Sequence, residues 1–409
     1  MAGLRIKGLG EEIGTLAQLP WDKPLEEWPE DEVLTQMRGI SRHIVRLIRS
    51  NPKKVNSEIF AIKETNSEFA NREYTLLREL NQRGAPCVEP VAVIEGRLDK
   101  DGNELPAALV TKYLPYSLPY RVILSGSVTP AEVLNMANAL ALLLVRMHLL
   151  GFWWGDCSLS NTLFRRDADE FAAYLVDAET GEFQKSLSNG QREHDLELAL
   201  VNVAGELDDL ASAGVLQPDM DPVRASEGVI RRYRRLWAML KEPQILDASD
   251  RQAVERAMRS LQDLGFAVEE VEVTTEGDKG MLKFQPKLVA ARYHSNRLED
   301  LIGLKAEELQ AKRLLASYDR YKAREFPPST PHAIAVKQWL SDVFRRVVNQ
   351  VPDDLKGRVE PAQLFHEVLE NRWYLGEKLG RDVGLDFATQ DYIEKVLPYR
   401  MDSGVVVNR

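Results

Sequence analysis

The sequence predicts an α+β fold in two lobes, followed by a mainly helical C-terminal domain with a β-hairpin. Three observations carry this expectation. Short runs of β-branched and aromatic residues, separated by turn signals, fill positions 35–115 around one helix pattern. A long apolar helix with an N-terminal capping signature opens the next region. Beyond about 245 the apolar spacing is mostly that of helices. The 409 residues are enough for two or three domains of about 100–200 residues each. At 44% hydrophobic and 28% charged, the chain has ordinary globular composition, which excludes a disordered, collagen-like or coiled-coil protein.

Positions 1–34 carry the Pro and Trp signals Leu19-Pro20-Trp21 and Glu27-Trp28-Pro29 and read as an irregular lead-in. Within the 35–115 lobe, His43–Arg49 and Glu58–Lys63 read as strands across an Asn51-Pro52 turn. Phe69, Tyr74, Leu76, Leu77 and Leu80 mark a helix that stops at Gly84-Ala85-Pro86. Two more strands, Val88–Ile94 and Ala107–Tyr113, are joined by the turn residues Asp99–Asn103. The second lobe, 116–245, begins with Thr129-x-x-Glu132, a capping box with Pro130 at the first helical position. That helix runs to about Leu150; short strands follow around Leu163 and Leu175, then helices near 192–213 and 222–241. The third region, 246–409, predicts a helix over Arg251–Leu264, a hairpin from Ala267–Thr274 and Gly280–Phe284, and helices to Leu397 broken at Arg324–Pro331.

Charge and cysteine usage exclude several function classes. Sixty-three acidic against 53 basic side chains give a net charge of −10, so nucleic-acid binding is not expected. Cys87 and Cys157 are too few for a disulfide framework, which favours a reducing compartment. The N-terminus shows no signal-peptide core. Met136–Trp154 is the most apolar stretch, but Asn138, Arg146 and His148 interrupt it. It falls short of the ~20 apolar residues of a membrane span and predicts a buried helix in a soluble, cytoplasmic protein.

The chemistry is concentrated in Gly151–Phe164. A helix ends, a Gly-Asp turn presents Asp156, and Asn161 follows five residues later. Sixteen residues beyond Asn161, the apolar strand Ala173–Val176 delivers Asp177. Carboxylate and amide oxygens are the ligands Mg²⁺ prefers, and a carboxylate beside a metal-binding pair is the kit of phosphoryl transfer. The cation that kit needs is Lys63, at the end of Phe60-Ala61-Ile62-Lys63, with the helix-borne Glu73 as its partner and Glu68 or Glu79 as alternatives.

On these residues, about 35–240 resembles the protein-kinase-like phosphotransferases. It is most similar to the bacterial lipopolysaccharide-kinase-like (Kdo/WaaP-type) branch and to actinobacterial proteins joining such a region to a C-terminal domain of unknown function (DUF4032-type). The resemblance implies a two-lobed kinase-like fold using ATP and Mg²⁺. Lys63 would anchor ATP, Asp156 would serve as catalytic base, and Asn161 and Asp177 as metal ligands; Tyr113-Leu114-Pro115 would lie at the hinge near the adenine. No Gly-x-Gly-x-x-Gly loop precedes the second strand, so Gly39, Ser41 and Arg42 are the candidates to cover the phosphates. The residue before the catalytic Gly-Asp is Trp154 where histidine or tyrosine is commoner. The metal motif reads Asp-Ala-Glu, so Glu179 is a candidate further metal oxygen.

Asp195 matches the aspartate that braces the catalytic loop in such kinases, or else caps a helix; Cys157 is a bystander. Arg231–Trp237 reads as a solvated basic helix face over an apolar stripe, and His366 and Glu370 share a helix face without an evident third ligand. The helix patterns flanking Gly380–Gly384 only imitate a helix-turn-helix. The leading expectation is a phosphotransferase acting on a nucleotide and an unidentified hydroxyl-bearing acceptor, with a possible protein partner through the C-terminal domain. A nucleotide-sensing scaffold is the alternative, and a nucleic-acid-binding regulator a further one.

Overall fold

The computed structural model describes residues 3–8, 12–28, 33–34, 45–50, 57–125, 129–216, 220–241, 244–247, 249–253, 255–256, 271–276, 281–286 and 292–400. Gly39, Ser41 and Arg42, and most of the helix expected over Arg251–Leu264, lie outside the described residues.

The first lobe is an antiparallel sheet with one helix on it. Its strands are β1 (Arg5–Gly8), β2 (Val33–Leu34), β3 (Val45–Arg49), β4 (Ile59–Thr65), β5 (Pro90–Glu95) and β6 (Ala107–Lys112), in the order β1-β5-β6-β4-β3-β2. A short α1 (Ile13–Leu16) precedes β2. The helix α2 (Ser67–Gln82) starts where the Asn66 side chain accepts the Phe69 amide, and it buries Ala70, Tyr74, Leu77 and Leu80. On β4 the residues Ile59, Ala61 and Lys63 share one face, since side chains alternate along a strand.

The stretch expected to be an irregular lead-in contributes β1, paired with β5, and plugs one face of the sheet with Trp21, Leu25 and Trp28. Trp and Pro signals do not disclose such packing, because the partners lie far along the chain. What holds it is Arg97, 1% exposed. Its guanidinium pairs with Glu64 at 2.7 Å and donates to the carbonyls of Trp21, Lys23 and Pro106. Glu64 in turn accepts the Leu25 amide and neighbours Lys63 on β4.

The second lobe is helical. The crossover brings β7 (Ser117–Pro119) and α3 (Tyr120–Leu124), then α4 (Pro130–Leu149) with the expected Thr129/Glu132 capping box. By length and composition α4 could cross a membrane, but it is the core helix of this lobe, burying Leu140, Leu143, Leu144 and Met147 among others. Two short strands, β8 (Phe152–Trp153) and β11 (Glu182–Phe183), pair with each other. Between them runs the hairpin β9 (Thr162–Asp167) and β10 (Glu170–Leu175). The helices α5 (Asn189–Ser212) and α6 (Pro222–Lys241) close the lobe. On α6, Ile230, Tyr233 and Leu236 face inward while Arg231 and Arg234 pair with Glu227 and Glu193 at the surface.

The C-terminal region contains the hairpin β13 (Val271–Glu276) and β14 (Met281–Pro286), to which β12 (Gln244–Asp247) adds a third strand. Helices Tyr293–Ile302, Glu308–Glu325, His332–Trp339, Pro361–Leu379 and Leu385–Lys395 surround their own core of Trp339, Phe344, Phe365 and Tyr392. The break expected at Arg324–Pro331 separates the second and third of these.

Replacing Arg97 with alanine would strand the buried Glu64 carboxylate and release the N-terminal plug. The expected cost is about 3–5 kcal/mol, read as a lower denaturant midpoint with the m-value retained. Wild-type stability would contradict this account.

Candidate active site

Lys63 lies where strand β4, helix α2 and the loop after β10 meet. Its Nζ is 3.0 Å from Glu73 on α2, 2.6 Å from Asp177 and 3.5 Å from Glu179, both on the loop after β10. Glu73, rather than Glu68 or Glu79, is the helix partner; Glu79 pairs with Arg83 four residues on. Burial works against the Lys63 charge, but Glu73 and Asp177 more than offset it and hold the ammonium above its ordinary range. Glu73 is fully buried, and burial together with the nearby Asp177 charge pushes its carboxyl up to about 8.

These groups fit a cation. Oxygens of Glu73, Asp177 and Glu179 lie within 4.8 Å of one another. Three carboxyl groups face one ammonium, so the cluster is short of positive charge, which a cation would supply. Glu73 Oε1 is buried with no hydrogen-bond partner among the described residues. The donor set is all oxygen, as Mg²⁺ requires.

Asp156 and Asn161 form the adjoining cluster. Asn161 Nδ2 donates to Asp156 Oδ2 at 2.9 Å and to its carbonyl at 3.0 Å. Both bonds use the amide nitrogen, so Oδ1 is the Asn161 atom that could hold a metal. The two clusters share backbone, since the Val176 amide, next to Asp177, donates to the Asn161 carbonyl at 3.1 Å.

Helix α5 holds this loop with three side chains. Asp195 accepts from the amides of Trp154 and Gly155, both at 2.8 Å, and meets His148 Nε2 at 2.9 Å. Asn202 Nδ2 donates to Asp156 Oδ1 at 2.9 Å. Glu206 accepts from the amides of Leu159 and Ser160 at 2.7 and 2.9 Å. Asp195 therefore braces the loop rather than capping a helix; the α5 cap is Ser188. Asn202 and Glu206 escape a reading of motifs, although their positions seven and eleven residues after Asp195 place all three on one helix face.

Trp154 joins the two halves of the site. It is fully buried, and its indole Nε1 donates to the Asp177 carbonyl at 3.1 Å while its own carbonyl accepts from Thr180 Oγ1. The indole thus reaches from the loop that carries Asp156 to the loop that carries Asp177. Gly155 sits at φ +74, and a Cβ there would come within 2.9 Å of the Trp153 ring. Tyr113 follows β6, donates its amide to the Ile59 carbonyl, and packs with Leu47, Ile59 and Ala61 into a small apolar wall. Ile59 and Ala61 share the β4 face of Lys63.

Other candidates resolve differently. Burial, then the charges of Asp195, Glu206 and Asp156, keeps the Cys157 thiol well above its usual range, so it is unreactive. His366 and Glu370 acquire a third neighbour in Asp169, a residue roughly 200 positions away that helix spacing cannot reveal. The Arg313 guanidinium lies against all three.

Residues 39–204 match the Lipopolysaccharide kinase (Kdo/WaaP) family, and residues 235–397 match a domain of unknown function (DUF4032). No curated protein matches the chain. Among solved structures, WaaP in complex with acyl carrier protein is similar at 17% identity, over 64% of this chain and 99% of that one, with a TM-score of 0.35. A yeast RNA Pol II CTD kinase complex, CTDK-1, is similar at 16% identity over 38% of this chain and 51% of that one, with a TM-score of 0.26.

Asp195→Ala would leave the buried Trp154 N–H, the half-buried Gly155 N–H and His148 without this partner. A loss of at least about 3 kcal/mol is expected, measured by thermal or denaturant melting; a neutral effect would contradict the brace. The chain thus joins a region that matches the Kdo/WaaP lipopolysaccharide kinase family to one that matches DUF4032.

Proposed function

We propose that the chain is an ATP- and Mg²⁺-dependent phosphotransferase that moves the γ-phosphate to a hydroxyl acceptor. The observation that carries this reading is the Lys63 cluster, in which one ammonium meets a buried helix carboxylate and two loop carboxylates beside the Asp156–Asn161 pair. Lys63 would hold the α- and β-phosphates, with Glu73 keeping its ammonium in place. Asp177, Asn161 and Glu179 would hold Mg²⁺, which neutralises charge on the phosphates. The apolar wall of Leu47, Ile59, Ala61 and Tyr113 suits a flat base, and Gly39, Ser41 and Arg42 would cover the phosphates.

Asp156 would take the acceptor's proton. Asn161 and Asn202 each spend one amide N–H on it, one to each carboxylate oxygen, which fixes its plane. The incoming hydroxyl would meet a pre-oriented acceptor, so positioning and charge neutralisation supply most of the rate. Sugar, lipid, small-molecule and protein hydroxyls all suit this arrangement. Use of ATP agrees with a cytoplasmic location.

A second reading is a nucleotide-sensing scaffold. The aromatic side chains Trp373, Tyr374 and Phe387 on the C-terminal helices, 65%, 60% and 52% exposed, favour a protein partner there.

Phosphate release from ATP, followed with Mg²⁺ present, separates the two readings. Asp156→Asn should lower turnover by about 10²–10⁴-fold while nucleotide binding persists; Lys63→Met should weaken nucleotide binding. Turnover unchanged in Asp156→Asn would overturn the phosphotransferase reading.

A further inference from the structure

The C-terminal region has no assigned chemistry, yet its buried polar side chains grip the β9–β10 hairpin along its length. At the tip, Asp167 and Glu170 pair directly, so Ala168 and Asp169 form a two-residue turn. Ala168 sits at φ +57, a region that residues with a Cβ seldom enter. Gln363 clamps it on both sides: the Oε1 accepts from the Ala168 amide and the Nε2 donates to the Ala168 carbonyl, each at 2.9 Å. Gln310 Nε2 donates to the Arg166 carbonyl at 2.8 Å and to Gln363 Oε1 at 2.9 Å. The amides of Leu309 and Gln310, in the first turn of their helix, donate to the Asp167 carboxylate at 3.0 and 2.8 Å.

Further down the hairpin, Arg165 pairs with Glu307 and Glu360, both at 2.7 Å. The Tyr174 hydroxyl donates to the Glu307 carboxylate at 2.7–2.8 Å. Gln310 and Gln363 are 0% and 2% exposed. A seam made of buried, mutually hydrogen-bonded amides has one register, because a shift of an ångström leaves donors and acceptors unpaired on both sides. Apolar packing would adhere equally well and tolerate sliding. The seam therefore specifies a position.

The other end of the same hairpin is the candidate site. β9 begins one residue after Asn161, and β10 ends two residues before Asp177. Six paired residues per strand make a stiff lever about 20 Å long. We propose that the C-terminal domain is an intramolecular brace for the cation-binding end of the site. Gln310, Gln363 and Glu307 are positioning residues that set, through the hairpin, where Asn161 and Asp177 lie. This inference rests on the phosphotransferase reading of that site.

The test uses the full chain, with Mn²⁺ binding followed by electron paramagnetic resonance and the Mg²⁺ dependence of ATP turnover measured alongside melting temperature. In Gln310→Leu/Gln363→Leu, metal affinity should fall about tenfold, whereas nucleotide affinity without metal, carried by Lys63, should stay within about twofold of wild type. Adding Ala168→Gly should restore much of the metal affinity, because glycine adopts the turn without the clamp. Should the double variant not fold, Tyr174→Phe removes one seam hydroxyl and should shift metal affinity in the same direction by a smaller factor. Wild-type metal affinity in a folded seam variant overturns the brace. Absence of Mn²⁺ and Mg-ATP binding in the wild-type chain is a different failure, and it overturns the phosphotransferase reading itself.

Discussion

The site depends on one ammonium that must satisfy three carboxylates from two elements of the fold. Lys63 comes from the strand lobe, Glu73 from the helix packed on that lobe, and Asp177 and Glu179 from the loop beyond the hairpin of the second lobe. One ammonium is outnumbered by three carboxyl groups. Burial of Glu73 makes the imbalance more costly, because a carboxylate removed from water favours its neutral form unless a cation is close. The arrangement is therefore charged in advance for a cation, and the two lobes meet where that charge is held.

Around this centre the fold works by long-range support. Glu64, next to Lys63 on β4, is pinned by Arg97 and so ties the N-terminal plug to the strand that carries the ammonium. Helix α5 supplies Asp195, Asn202 and Glu206 to the backbone and side chain of the Asp156 loop. Trp154 links that loop to the carbonyl of Asp177. Each tie uses a buried polar group with a defined partner, the kind of contact that fixes geometry more than it adds stability. The polar seam to the C-terminal region extends the same principle from the loop to the hairpin that lies between Asn161 and Asp177.

Much of this was legible from residue order alone. Lys63 at a strand end, Asp156 after a helix stop and Asp177 after an apolar strand each follow from local patterning, and their side chains lie in two adjoining clusters. The capping box and the α4 core helix were likewise local signals. What remained hidden acts at a distance. Asn202 lies 46 residues from the aspartate it orients. Gln363 lies 195 residues from the turn it clamps, and glutamine carries no motif. The N-terminal plug was concealed in the same way, since Arg97 chooses its partners 74–76 residues away.

The most direct test of the central claim is the melting temperature with and without Mg-ATP, on wild type and on Asp177→Asn. Nucleotide at about 100 times its dissociation constant adds about 2.7 kcal/mol, a rise of a few degrees for a chain of this size. The account predicts a Mg²⁺-dependent rise in the wild type that shrinks in Asp177→Asn, with the unliganded variant melting no lower than wild type because one of three crowded carboxylates is gone. The same rise in both proteins, or none in either, would contradict it.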